Sequence, residues 1–181
     1  MGPAALMPVS LQVRVRSIRF GRQSVLRLAQ AVLDLIGESS ADLGVSFVGD
    51  RRMRSLNHRF RGKDRSTDVL AFALREARTP LSRVSRQVLG DIVISVPTAL
   101  RQAKEGRRSL EEEIVALLIH GALHLCGYDH ERGHAESRRM RRKERTVRLA
   151  LGRIRCFTGR RPDVRNSSEK TEFDLWDGSS D

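Results

Sequence analysis

The sequence predicts a single α+β domain in which about four strands form one sheet flanked by helices. Three observations carry that prediction. Segments that alternate apolar and polar side chains are interleaved with segments whose apolar residues recur at helical spacing. Glycine, proline and capping residues stand at the joints between them. A chain of 181 residues with 39% hydrophobic and 31% charged side chains has the length and composition for one sizeable core.

The elements follow in order. "LQVRVRSI", residues 11 to 18, alternates and reads as a strand with one buried face. "SVLRLAQAVLDLIGE" places Val25, Leu28, Ala29, Val32, Leu33 and Ile36 on one helical face, and Gly37 stands where that helix stops. "LGVSFVGD" is a second strand. "RRMRSLNHRFRG" is a short helix whose inner face is expected to be Met53, Leu56 and Phe60. "TDVLAFAL" and "GDIVISVP" are two further strands, joined by the polar stretch "REARTPLSRVSRQVL". Pro97 begins a third helix that Gly106 ends, and Ser109 with Glu112 three residues on is a capping-box signature for a fourth. That fourth helix, "SLEEEIVALLIHGALHLCG", is apolar almost all round at Ile114, Leu117, Leu118, Leu123 and Leu125, so it belongs in the core, with Gly127 as its C-terminal stop. A last helix is expected from about Glu131 to Leu151. There is no internal repeat or linker.

Composition narrows the setting. No apolar run approaches the roughly 18 residues of a membrane span, and "MGPAALMPVSLQ" has neither a charged n-region nor an apolar h-region, so a cytoplasmic protein is expected. Cys126 and Cys156 make no disulfide framework, which suits a reducing compartment. The net charge of +12 attracts polyanions before any specific contact forms. Much of it lies in "RRMRRKERTVRLALGRIRCFTGRRPDVR", and the chain then turns acidic in "EKTEFDLWDGSSD". Such a tract is also what a solvated helix and a disordered end look like, so charge alone does not decide for nucleic acid.

The chemistry is concentrated in "IHGALHLCGYDHE", which holds three of the five histidines. His120 and His124 are four residues apart, about 400° of rotation and roughly 6 Å of rise, so both imidazoles project from one helix face and can hold one ion together. A turn at Gly127 would bring His130 to the open side. Three nitrogens leave a position free, the pattern of a catalytic zinc site rather than a structural one closed by four ligands. Two histidines at this spacing also occur by chance on a core helix. Gly127 three places after the second, and His130 three further, match the metzincin consensus H-E-x-x-H-x-x-G-x-x-H and make the metal the better reading. One member is missing: Gly121 stands where a zinc peptidase has its proton-abstracting glutamate, which disfavours peptide hydrolysis. Cys126 lies about 200° round the helix from His124 and reads as a small buried hydrophobe, not a ligand. His58 and His134 carry no assignment.

With "HGALHLCGYDH", "SLNHRFRGKDRSTDVLAFAL" and "LGDIVIS" in this order and spacing, the chain resembles the YbeY family of bacterial endoribonucleases, or rRNA maturation factors. The resemblance covers about residues 10 to 152. It implies a zincin-like domain with a small mixed sheet, one Zn2+ on His120, His124 and His130, and cleavage of single-stranded RNA. It further implies a part in maturing the 3′ end of small-subunit rRNA and in ribosome quality control, with rRNA and ribosomal subunits as partners and neither membrane nor DNA. Arg61 in "FRGKD" matches the arginine implicated in catalysis; a guanidinium suits that role because phosphodiester cleavage builds charge on two non-bridging oxygens. Taken alone, "RFRGKDR" would read as a solvated loop. Ser66 replaces the proline usual before "TDVL", and residues 153 to 181 form a basic then acidic extension beyond the family's usual length, either a further RNA or ribosome contact or a disordered end. Two other readings compete with the endoribonuclease: a zinc metalloprotease on the same histidine spacing, and a non-catalytic RNA-binding assembly factor in which the metal only holds the fold.

Overall fold

The computed structural model describes residues 9–15, 18, 20–74, 88–128 and 133–152. Nine elements follow one another: β1 (Val9–Val13), α1 (Arg22–Ile36), β2 (Asp42–Val48), α2 (Asp50–Arg61), β3 (Val69–Ala73), β4 (Val88–Ser95), α3 (Val96–Glu105), α4 (Leu110–Leu125) and α5 (His134–Leu151). The polar connection at 75–87, His130 and the extension at 153–181 lie outside the described residues. The four strands form one sheet in the order β1-β2-β4-β3. The first two pairings are parallel and the edge strand β3 runs antiparallel to β4, with Val69 opposite Ile94 and Ala73 opposite Gly90. The α+β class and the mixed four-stranded sheet are therefore as the sequence led one to expect.

The two faces of the sheet are unequal. One carries the large core, in which Leu28, Leu33, Phe47, Ile92, Ile94, Leu118 and Leu123 are fully buried between the strands, α1 and α4. The other carries a small cluster of Val48, Met53, Leu70 and Val93 under α2. Helix α4 is driven into the larger core by its own composition: nine of its residues are buried, against three of α5. Ile114, Leu117, Leu118, Leu123 and Leu125 are all among them, and each contributes roughly 1.5–3 kcal/mol by leaving water. The capping box fixes where α4 starts, since Ser109 Oγ accepts from the Glu112 amide at 3.1 Å while Glu112 accepts from the Ser109 amide at 2.8 Å.

Three expectations change in detail. β1 covers Val9–Val13 rather than 11 to 18, and Val13, near the open end of this edge strand, is 41% exposed. The inner face of α2 is Met53 and Asn57 with Leu56 partly buried against the same cluster, and not Phe60, which is 55% exposed. Asn57 tolerates burial because its amide donates to the Arg65 carbonyl at 2.8 Å, whereas Phe60 meets Phe72 edge-on at 5.0 Å and lies under the Arg59 guanidinium at 5.3 Å. Cys126 is half-buried against the core instead of fully enclosed. Among the described residues no helix is long and apolar enough to cross a membrane.

Candidate active site

The histidine pair sits at the C-terminal end of α4. Burial of Leu117, Leu118 and Leu123 around them fixes the helix rotation, so His120 and His124 emerge together at its partly exposed edge. Their Nε2 atoms are 3.1 Å apart and the rings meet at 75°. His120 turns its other nitrogen to α5, where Nδ1 lies 2.7 Å from Glu144 Oε1. A carboxylate accepting from Nδ1–H leaves the lone pair on Nε2, the nitrogen that faces His124. This pair fits one cation: with metal–nitrogen bonds of about 2.0–2.1 Å, a 3.1 Å separation corresponds to an angle at the ion of roughly 95–100°, near the tetrahedral range. Among the described residues no cluster reaches three ligands. The third candidate, His130, lies outside them.

Glu144 is the site residue that sequence reasoning passed over, 24 positions from its partner. It lies within the arginine tract and reads there as one more charge on a solvated helix. A signal did exist. Met140, Glu144, Val147 and Leu151 follow at spacings of four, three and four, and the other three are buried, so this carboxylate falls on the inner edge of α5.

Gly127 and Gly121 have separate reasons. Gly127 has φ of 86°, a left-handed conformation that ends the helix, its amide donating to the His124 carbonyl at 2.9 Å. Gly121 is a matter of space: a Cβ there would stand 2.9 Å from Ile92 Cγ2 on β4. Position 121 therefore points into the sheet, so a glutamate at this place would be driven against β4 and not toward the histidines.

His120 and Glu144 line a cleft of about 180 Å³ together with Asp68, Leu117 and Arg148. Asp68 is held rigidly, one carboxylate oxygen accepting from the Val69 amide at 2.8 Å and the other from Gln102 at 3.0 Å. The segment leading to it is anchored by Asp50 at the start of α2. Asp50 accepts from Ser95, from Thr98 at 2.7 Å, from Ser66 at 3.1 Å and from Arg101 at 2.8 Å. Burial alone would raise its pKa, but the Arg101 guanidinium and the three hydroxyls outweigh that and hold the carboxyl far below the usual carboxylate range. Ser66 thus has a role that proline lacks the hydroxyl to fill.

Arg61 is the last residue of α2 and is exposed. The turn that follows it is built rather than loose: Asp64 accepts from Arg54 at 2.7 and 2.6 Å in a two-pronged pair, and the Gly62 amide donates to the His58 carbonyl at 3.0 Å. The Arg54 hydrogen bond holds the Asp64 pKa low. Yet α2 covers the small-cluster face and α4 the large-core face, and no described contact joins Arg61 to either histidine. His58 and His134 are exposed, on α2 and at the start of α5.

Comparison with known proteins fits this geometry. A family model described as endoribonuclease YbeY matches residues 11–152. Proteins named endoribonuclease YbeY from Anaeromyxobacter sp. (strain Fw109-5), Geobacter metallireducens and Aquifex aeolicus are 46%, 38% and 37% identical to this chain. The matches cover 74%, 81% and 80% of it, and 68%, 97% and 92% of those proteins. The solution structure of TM1509 from Thermotoga maritima superposes with a TM-score of 0.54 at 27% identity, over 77% of this chain and 85% of that one.

Proposed function

The chain belongs to the family of endoribonuclease YbeY, and from there we propose that it is a metal-dependent endoribonuclease holding zinc at the end of α4. Its substrate is single-stranded RNA in the cytosol, at the 3′ end of small-subunit rRNA and on defective ribosomal subunits. The observation that carries this reading is the convergence of His120 Nε2 and His124 Nε2 at 3.1 Å, with His120 braced by Glu144 at the wall of a cleft.

His120 and His124 would hold the cation, with His130 as third ligand. A zinc ion held there would supply Lewis acidity toward a phosphoryl oxygen and would bring the pKa of water to about 7. The chain's own groups do the rest. Glu144 keeps His120 in one tautomer and one orientation. Asp68, already engaged by Gln102 and the Val69 amide, shapes the facing wall without swinging into the cleft. Arg61 takes the charge that grows on the non-bridging oxygens, reaching from the end of α2 when RNA bridges the two regions. A peptidase is disfavoured by Gly121, whose contact with Ile92 leaves no room for the glutamate such chemistry needs.

The test is cleavage of a single-stranded rRNA fragment by the zinc-loaded and chelated protein, with casein as second substrate. Metal-dependent cutting of RNA alone supports the reading. Casein hydrolysis would favour the peptidase, and RNA binding without cutting the assembly factor. A substrate with one 2′-deoxy residue at the scissile nucleotide should still be cut and should yield no cyclic phosphate, because water and not the neighbouring 2′-hydroxyl is the expected nucleophile. Complete resistance of that substrate would reverse the choice of nucleophile.

A further inference from the structure

We propose that one edge of α5 is a phosphate track that leads single-stranded RNA into the histidine cleft, formed by Arg141, Arg145 and Arg148. The proposal rests on the endoribonuclease reading and deepens it. Helix α5 carries seven lysines and arginines against two carboxylates, and its buried edge is narrow: Met140, Val147 and Leu151. At 100° per residue, Arg141, Arg145 and Arg148 fall within about 60° of one another, and Arg148 lies about 40° beyond Glu144 and one turn further on. The three therefore run outward from the side where Glu144 meets His120, with Arg148 nearest the inner edge and Arg145 furthest onto the solvent face. Arg148 itself lines the cleft with His120 and Asp68.

The stripe is available. All three arginines are exposed, and among the described residues neither Arg145 nor Arg148 makes an ion pair or a side-chain hydrogen bond. Arg141 donates to Ser137 Oγ at 2.7 Å, a neutral partner that leaves its charge uncancelled. The opposite flank is engaged differently: Lys143 Nζ reaches the Leu35 carbonyl at 3.4 Å on α1, and Arg139 lies 5.0 Å over the Tyr128 ring and 3.7 Å from Glu136. Successive arginines of the stripe are roughly 4.5–6 Å apart along the axis, so an extended strand can meet one after another. An acidic protein partner would need matching carboxylates at that spacing and has no reason to continue into the cleft, whereas a substrate strand must run through it.

The experiment compares two charge-matched variants of the full chain: Arg141→Gln/Arg145→Gln/Arg148→Gln for the stripe, and Arg139→Gln/Arg142→Gln/Lys143→Gln for the rest of the helix surface. Both are checked by thermal unfolding, and their binding to a single-stranded RNA is measured against salt. Loss of three phosphate contacts should flatten the slope of log affinity on log salt by about 2, which corresponds to on the order of 50-fold weaker binding near 0.15 M salt. The second variant should change both by much less. Replacing the same three stripe residues by lysine should restore most of the slope, since lysine retains the charge, and this arm stays informative if the glutamine variant is unstable. Equal weakening in the two glutamine variants, or unchanged affinity in the stripe variant while RNA is still cut, would overturn the track. Failure of the unaltered protein to bind or cut RNA would instead overturn the endoribonuclease reading.

Discussion

Helices α4 and α5 are joined by the hydrogen bond between His120 and Glu144, yet they are opposite kinds of helix. α4 is apolar on nearly every side and is placed by the core. α5 is charged on nearly every side and is placed by three buried residues. The difference teaches how the site divides its work. The nitrogens proposed to hold the metal ride on the more deeply buried element, where a change is felt first as a change in fold. The groups proposed to orient a ligand and to meet the substrate ride on an element whose outer surface can change without disturbing the core.

The largest expected effects lie on α4. Gly121→Glu should prevent folding, and Gly121→Ala should cost about 1–3 kcal/mol in denaturant unfolding, because a Cβ meets Ile92 before anything can relax. His124→Ala or His130→Ala should bring bound zinc well below one per chain and lower the melting temperature of the holoprotein, since metal binding and folding share free energy. Cys126→Ala should leave zinc content intact. A fully zinc-loaded His130→Ala protein would remove that residue from the site.

On α5 the same logic predicts a smaller, more selective loss. Glu144→Gln should weaken zinc affinity by about 10–100-fold in a competition titration. Stability of the metal-free protein should move by less than about 1 kcal/mol, because the glutamine oxygen can still accept from His120 Nδ1. Equal damage to apo stability and metal affinity would mean that α5 is as structural as α4, and the contrast between the helices would fail. Arg61→Ala, on neither helix, should lower single-turnover cleavage by about 10²–10³-fold while RNA affinity changes far less. The reverse pattern would make Arg61 a binding residue.

The smallest effect concerns the anchor beneath the cleft. Asp50 ionises far below the usual carboxylate range in the folded protein, so its contribution is complete above the unfolded value of about 4 and is lost as pH falls below it. Asp50→Asn should therefore cost about 1–2 kcal/mol at pH 7, discounted because Asp50 is partly open to solvent. The gap between variant and parent should narrow as the pH is lowered through 4 toward 3. A constant gap across that range would show that shape, not charge, makes the Asp50 contacts.

The sequence by itself determined what depends on neighbours along the chain. Helical spacing marked α1 and α4, the Ser109–Glu112 pair marked where α4 begins, and four residues between His120 and His124 put both imidazoles on one face. Each of these is set within one or two turns of backbone, so local periodicity suffices. Tertiary structure decided what depends on which elements meet. Only the packing of α5 on α4 brings Glu144 to His120, and only the order β1-β2-β4-β3 places β4 under Gly121. Only the junction of α2, β4 and α3 gathers Ser66, Ser95, Thr98 and Arg101 around Asp50. The exchange of Phe60 for Asn57 has the same origin. Periodicity ranks residues by hydrophobicity, but burial went to the side chain that found a carbonyl, Arg65, delivered by a turn eight residues away.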